Sequence, residues 1–285
     1  MVYYIDKETE ADFETARNNP LGIENYFYKY VPYKEMLKEN SRNQLFFIRP
    51  ELWNDPWESL VLTGNYKTEK NKMRQHPLSG KVLATCFTSN YGSESQWYVY
   101  EQTESKIMLS FNKTKLIDAL KDSKLDFYIG KVKYEIPQPQ INKAIRTWAK
   151  ENIDFFDDNI EVANYSIEAK KKLLEPLLIK RKPFEYEHEY RFFLIDPNGK
   201  NKENVIIDKL SAAIGKVTLS PKSVETLKVE KKEELWDKFK EKKLLELYQE
   251  EQKEELRKFG FLEFNASSLY MRKNETLFDL VMIKK

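Results

Sequence analysis

Glu185, Glu187, Glu189 and Arg191 recur at every second position of PFEYEHEYRFFLI, Pro183–Ile195. Side chains two apart on an extended chain share a face. The spacing therefore predicts a strand with three carboxylates and a guanidinium on one side and Phe184, Tyr186, His188, Tyr190 and Phe192 on the other. Carboxylates so placed stand roughly 6.5 to 7 Å apart along the backbone, and each makes the other harder to ionise unless a cation such as Arg191 compensates. Such a pair suits a developing positive charge. One carboxylate holds a sugar hydroxyl and steadies an oxocarbenium-like centre, while its neighbour orients or deprotonates an incoming nucleophile. The same alternation also describes a half-exposed strand whose charged face meets only water.

Three further stretches carry groups of the right kind. In YFYKYVP, Tyr26, Tyr28 and Tyr30 share one side of a strand and Lys29 takes the other; the tyrosines sandwich a base or nicotinamide ring and Lys29 meets phosphate, or all belong to a core or sheet surface. WNDPWE offers Asn54 and Asp55 between Trp53 and Trp57, as ligand contacts or as a turn in which Asp55 bonds nearby amides. CFTSNYGSESQWYVYE gathers Thr88, Ser89, Trp97 and Tyr100 about one turn, where hydroxyls bind ribose or phosphate or simply form the turn. The lone cysteine, Cys86, sits in an apolar strand and reads as a buried, inert thiol. No glycine-rich phosphate loop is present.

The elements that position these residues follow from punctuation and period. Strands are expected at Tyr26–Tyr30, Gln44–Ile48, 81–89, 105–111, 127–135, Pro183–Ile195 and 216–221, with WNDPWE as a loop because Asn-Asp-Pro interrupts. Helices are expected at Thr9–Asn18 outside the core, at Pro32–Glu39, at Lys115–Lys121, from about Ile141 to Phe156, from about Ile167 to Ile179 with Pro176 as a kink or stop, and at Lys231–Phe259 ending on Gly260. A hairpin closes the chain. Strands and helices are interspersed without βαβ alternation, which predicts an α+β fold with a mostly antiparallel, split sheet flanked by helices: residues 1–24 form an extension and 25–285 one domain.

The 285 residues, 41% of them apolar and 14% aromatic, suffice for a sizeable core. Charged residues reach 33% but leave only +2, too little to argue for nucleic acid or an anionic membrane on overall charge alone. One cysteine and two histidines exclude an internal disulfide and a structural zinc. Without a signal-like start or a run of about 18 to 20 apolar residues, a soluble, cytoplasmic protein with no metal is expected.

The order YKY, LFFIRPELWNDPWE, CFTS, WYVY, IMLSF, YEHEYR and KVTLSP resembles a prokaryotic family known as domain of unknown function twenty-nine seventy-one, from about Asn25 onward. The succession of aromatic/basic strand, Ser/Thr strand end and Glu-x-Glu strand also resembles the three-part site of ADP-ribosyltransferases, which split NAD at its glycosidic bond. That resemblance implies NAD as substrate. Glu189 then grips the nicotinamide ribose, Glu187 orients the acceptor, and Tyr28, Lys29, Tyr30, Asn54, Asp55, Thr88, Ser89, Trp97, Tyr100 and Arg191 shape the nucleotide cleft. A nucleic-acid or protein acceptor and a toxin or defence role would follow. The alternatives are a non-catalytic nucleic-acid-binding module and a nuclease or glycosidase using paired carboxylates.

Overall fold

The computed structural model describes residues 1–19, 22, 25–67, 72–100, 105–136, 138–156, 161–196, 198–221 and 238–266. Its strands are β1 (Val2–Tyr4), β2 (Tyr26–Pro32), β3 (Gln44–Ile48), β4 (Tyr66–Lys67), β5 (Met73–Arg74), β6 (Val82–Thr88), β7 (Lys106–Asn112), β8 (Phe127–Lys131), β9 (Lys133–Ile136), β10 (Ile179–Arg181), β11 (Glu189–Ile195), β12 (Lys202–Ile206), β13 (Ile214–Leu219) and β14 (Phe264–Ala266). Its helices are α1 (Lys7–Asn18), α2 (Tyr33–Met36), α3 (Pro56–Thr63), α4 (Glu94–Tyr100), α5 (Lys113–Asp122), α6 (Gln138–Glu151), α7 (Ile167–Leu174) and α8 (Lys238–Lys258). The chain divides into unit 1 (Met1–Lys29, Arg42–Tyr91, Phe111–Ile214) and unit 2 (Tyr30–Ser41, Gly92–Ser110, Gly215–Lys285). Among the described residues no helix is long and apolar enough to cross a membrane.

Unit 1 is built on a largely antiparallel sheet in which β1, β8, β11 and β6 are successive neighbours and only β1 runs parallel to its partner. The free edge of β6 then forks. Thr88 at its end pairs with Tyr28 of β2, while Ala84 pairs with Ile48 of β3, and β12 continues from β3. The sheet is thus forked and open, largely antiparallel and flanked by helices.

Every residue of β11 but the last is buried, because helices cover both faces of the sheet. On one face Phe13 of α1 meets Phe27 and Tyr190 at ring distances of 5.4 and 6.3 Å, with Phe87 and Phe192 beside them. On the other, Tyr128 and Phe193 join Val61 and Leu62 of α3 and Leu173, Leu174, Leu177 and Leu178 at the end of α7. A half-solvated strand therefore does not exist here. Nor does α1 lie outside the core: Thr9, Phe13 and Ala16, spaced four and three apart, bury one stripe, and Asp6 caps the helix by accepting from Thr9 N at 2.8 Å.

WNDPWE is not a loop throughout. Asp55 is the N-cap of α3 and Pro56 its first residue, a position where proline's fixed φ and missing donor fit the helix start. The helix expected at Pro32–Glu39 is the single turn α2. Pro176 stops α7, and a 3-10 turn, Glu175–Leu178, leads into β10.

In unit 2, α8 links the parallel strands β13 and β14, Gln249 Nε2 donates to the Ser220 carbonyl at 3.3 Å, and Leu256 is buried. Gly260, at φ 84°, follows the helix as its stop. The expected helical residues 231–237 and the closing hairpin from Ser267 lie outside the described residues.

Gly130 lets the Glu175–Leu178 turn press onto the sheet: a Cβ there would stand 2.3 Å from Leu178 Cδ1, and Leu178 is itself buried. Gly130→Ala is expected to lower the unfolding free energy by about 1–3 kcal/mol, seen as a reduced urea midpoint at unchanged slope.

Candidate functional site

The expected strand Pro183–Ile195 is broken at its middle. Lys182–Glu187 forms a 3-10 helix with Pro183 in its first turn, His188 turns the chain in the left-handed region (φ 42°, ψ 54°), and β11 begins only at Glu189. Proline has no N–H for a ladder, and its fixed φ suits the first turn of a helix. Glu185 falls at the margin, paired with Lys182 at 2.7 Å. Glu187 and Glu189 converge instead on one ammonium: Lys180 Nζ lies 2.5 Å from Glu187 Oε2 and 3.2 Å from Glu189 Oε2.

Two more residues complete a buried set of five. Glu58, in the first turn of α3, places Oε1 3.2 Å from Lys180 Nζ and accepts from Arg191 Nη2. Arg191, wholly buried, donates through Nε and Nη2 to the two oxygens of Glu189 at 3.1 and 3.0 Å, and through Nη1 to the Leu177 carbonyl at 2.5 Å. Trp53 covers the guanidinium at 4.3 Å from its ring centre, and Phe184 lies 5.0 Å from Lys180 Nζ. This shape is bidentate recognition, which a lysine at 191 would not reproduce.

Three carboxylates face two cations, and the imbalance separates their acidities. Burial opposes ionisation of Glu189, yet Arg191 and then Lys180 outweigh it and hold its carboxyl down at about 2. Glu187 is pushed up to about 7, first by burial, with the Lys180 ammonium opposing and the Glu189 charge adding to the shift. Lys180 and Arg191, whose burial favours loss of their protons, are held protonated beyond their usual range by Glu189 and its neighbours. At neutral pH the set holds one permanently ionised carboxylate beside one poised to take or give a proton.

The register brings three of the expected positions into one row. Glu189 pairs with Thr88, and Thr88 with Tyr28, so the Glu, Ser/Thr and aromatic strands are hydrogen-bonded neighbours in that order with these side chains on one face. Thr88 Oγ1 donates to the Glu187 carbonyl at 2.5 Å and accepts from Asn90 N, and Tyr28 meets the ring of Tyr91 at 5.1 Å. Cys86, opposite Arg191, is half-buried rather than buried; desolvation first and then the negative charge of Glu189 push its thiol well up.

Other expected contacts do not join this row. Lys29 points to the opposite face, where its ammonium donates to Thr85 Oγ1 at 2.7 Å and the Cys86 carbonyl at 2.9 Å, and burial lowers it to about 8. Asp55 is occupied by its cap bond to Trp57 N and by Arg181 at 2.7 Å. Asn54 is exposed, and Ser89, also exposed, donates to the His188 carbonyl. Tyr30 and the buried Trp97 belong to unit 2, their rings edge to face at 4.7 Å. Tyr100 ends α4, and its side chain lies outside the described residues. Glu58 and Lys180 were missed by sequence reading. Asp-Pro ahead of Trp57 and Glu58 is a helix-start signal that would have placed Glu58 in a first turn, and Lys180 stands out as a charge closing the apolar run LLI.

Residues 96–192 match the model of a family described as Protein of unknown function (DUF2971). It is the family that the motif order resembles. The DUF2971 match takes in Trp97, Lys180, Glu187, Glu189 and Arg191, and leaves Tyr28, Glu58 and Thr88 before it. No curated protein and no solved structure matches the chain.

A carboxyl whose folded-state pKa lies above its unfolded value keeps its proton to higher pH in the folded protein, so its stabilising contribution is present below the unfolded value and lost as pH rises through the folded one. For Glu187 that window runs from about 4.3, the usual unfolded value, to about 7. The stability of the parent relative to Glu187→Gln should therefore fall with pH across this window and level off above it, measured by urea unfolding at a series of pH values; a pH-independent difference would overturn the assignment.

Proposed function

We propose that unit 1 carries an ADP-ribosyltransferase-like centre that cleaves NAD at the bond between nicotinamide and ribose and passes ADP-ribose to an acceptor. The observation that carries this reading is the row Tyr28, Thr88, Glu189 with Glu187 beside it, its two carboxylates held at opposite ends of the acidity scale. The permanently ionised Glu189 suits the charge that develops on the ribose as nicotinamide departs with the bonding electrons. Glu187, near neutrality, suits the base that takes the proton from the acceptor as it attacks the anomeric carbon. Tyr28 is an aromatic surface for the nicotinamide or its ribose, and Arg191, Lys180 and Glu58 hold Glu189 in place.

The parent protein should release nicotinamide from NAD, followed by chromatography, with a rate that rises through pH 7 as Glu187 loses its proton. Glu187→Gln should remove that rise, and Glu189→Gln should lower the rate at least a hundredfold. Because Glu189 neutralises Arg191, its glutamine variant is expected to lose about 3 kcal/mol of stability or more; its folded state is verified by circular dichroism before the assay. No nicotinamide release by the parent, together with no rise in its melting temperature in saturating NAD, overturns the reading. Tight, steeply salt-dependent binding of single-stranded RNA in that circumstance would favour the nucleic-acid-binding alternative.

A further inference from the structure

At the end of β11 remote from Glu189, on the order of 20 Å along the strand, a cavity of about 290 Å³ opens within unit 1. It lies among the turn after α5, the first residues of β8, the 3-10 turn Val162–Asn164, α7 and the last residues of β11. None of the five buried ionic residues lines it. Val162, Leu194 and the ring of Tyr128 supply apolar walls, and Lys124 and Lys170 bring two ammonium groups. The lining includes one carboxylate, Asp126, whose Oδ1 lies 3.2 Å from the N-terminal ammonium of Met1.

Neither lysine forms an ion pair among the described residues, although Lys171, beside Lys170, pairs with Glu168 at 2.9 Å. Lys170 is half-buried and Lys124 stands at the exposed rim. Lys124 is also held in a conformation that glycine would adopt with less strain. α5 ends at Asp122, Ser123 is its C-cap, and Lys124 follows at φ 62°, the left-handed place after a helix where a side chain meets the backbone. Glycine there would ease the turn but bring no charge to the cavity, and strain of this kind concentrates at binding sites.

Among the described residues, two cations without an ion pair face one engaged carboxylate, which makes the lining net positive, while the walls accept a ring or short alkyl group. The geometry points to a binding site for a small monoanion with an apolar body, such as an aromatic carboxylate, gripped by Lys124 and Lys170. It is separate from the proposed NAD centre.

Benzoate, benzamide and benzamidinium share one shape and differ in charge, and their binding to the full chain is measured by calorimetry. Benzoate is expected to bind at one site per chain, benzamidinium not at all, and benzamide at least tenfold more weakly than benzoate. Lys170→Gln and Lys124→Gly should each weaken benzoate at least tenfold. Lys124→Gly should at the same time melt no lower than the parent, which separates lost binding from lost folding. Glu187→Gln should bind benzoate as the parent does, whatever its effect on NAD. Failure of benzoate to bind at millimolar concentration, equal binding of benzoate and benzamidinium, or benzoate affinity unchanged in both lysine variants overturns the proposal.

Discussion

A guanidinium with no exposed surface dictates the arrangement of unit 1. Removing an ion of that size from water costs several kcal/mol even after the protein relaxes, so Arg191 must be met on every side. Glu189 meets it from its own strand, Glu58 from the first turn of α3 and the Leu177 carbonyl from the turn after α7, while Trp53 covers its face. Each partner fixes an element. The approach of the Leu177–Leu178 turn is possible only because Gly130, paired with Arg191 across β8, has no side chain to obstruct it.

Lys180 ties the set together from the other side. Its ammonium touches all three carboxylates, and the acidities of Glu187 and Glu189 depend on each other. Arg191 is committed to Glu189 and Glu58, whereas the ammonium of Lys180 meets Glu187. Charge geometry therefore determines which carboxyl stays ionised and which titrates near neutrality, although Glu187 and Glu189 are only two residues apart in the chain.

The elements that rest on local signals were visible in the sequence: β3 at its observed limits, α5 within two residues, α8 with its glycine stop, and the neighbouring strands that carry Tyr28, Thr88 and Glu189. PFEYEHEY misled because aromatic and acidic residues alternate as on a strand, whereas Pro183 starts a 3-10 turn and His188 adopts a left-handed conformation that no period reveals. Burial of both faces of β11 was equally hidden, since it depends on helices far away in sequence. Glu58 entered the site through its contact with Arg191, 133 residues on, and Lys180 through its contact with Glu189, nine residues on, and ion-pair partners at such separations leave no spacing signature.

Charge balance distinguishes a site from a structural lock. Glu58 and Glu189 alone would neutralise Lys180 and Arg191, with the bidentate contact intact. Glu187 adds a third carboxyl whose acidity is shifted from 4.5 to about 7. At about 1.4 kcal/mol per unit, keeping it ionised opposes folding by on the order of 3 kcal/mol above neutral pH. Neutralising the two cations does not require that group. What it adds is a carboxyl that titrates near neutrality beside an ionised one, the division of labour on which the proposed cleavage of NAD rests.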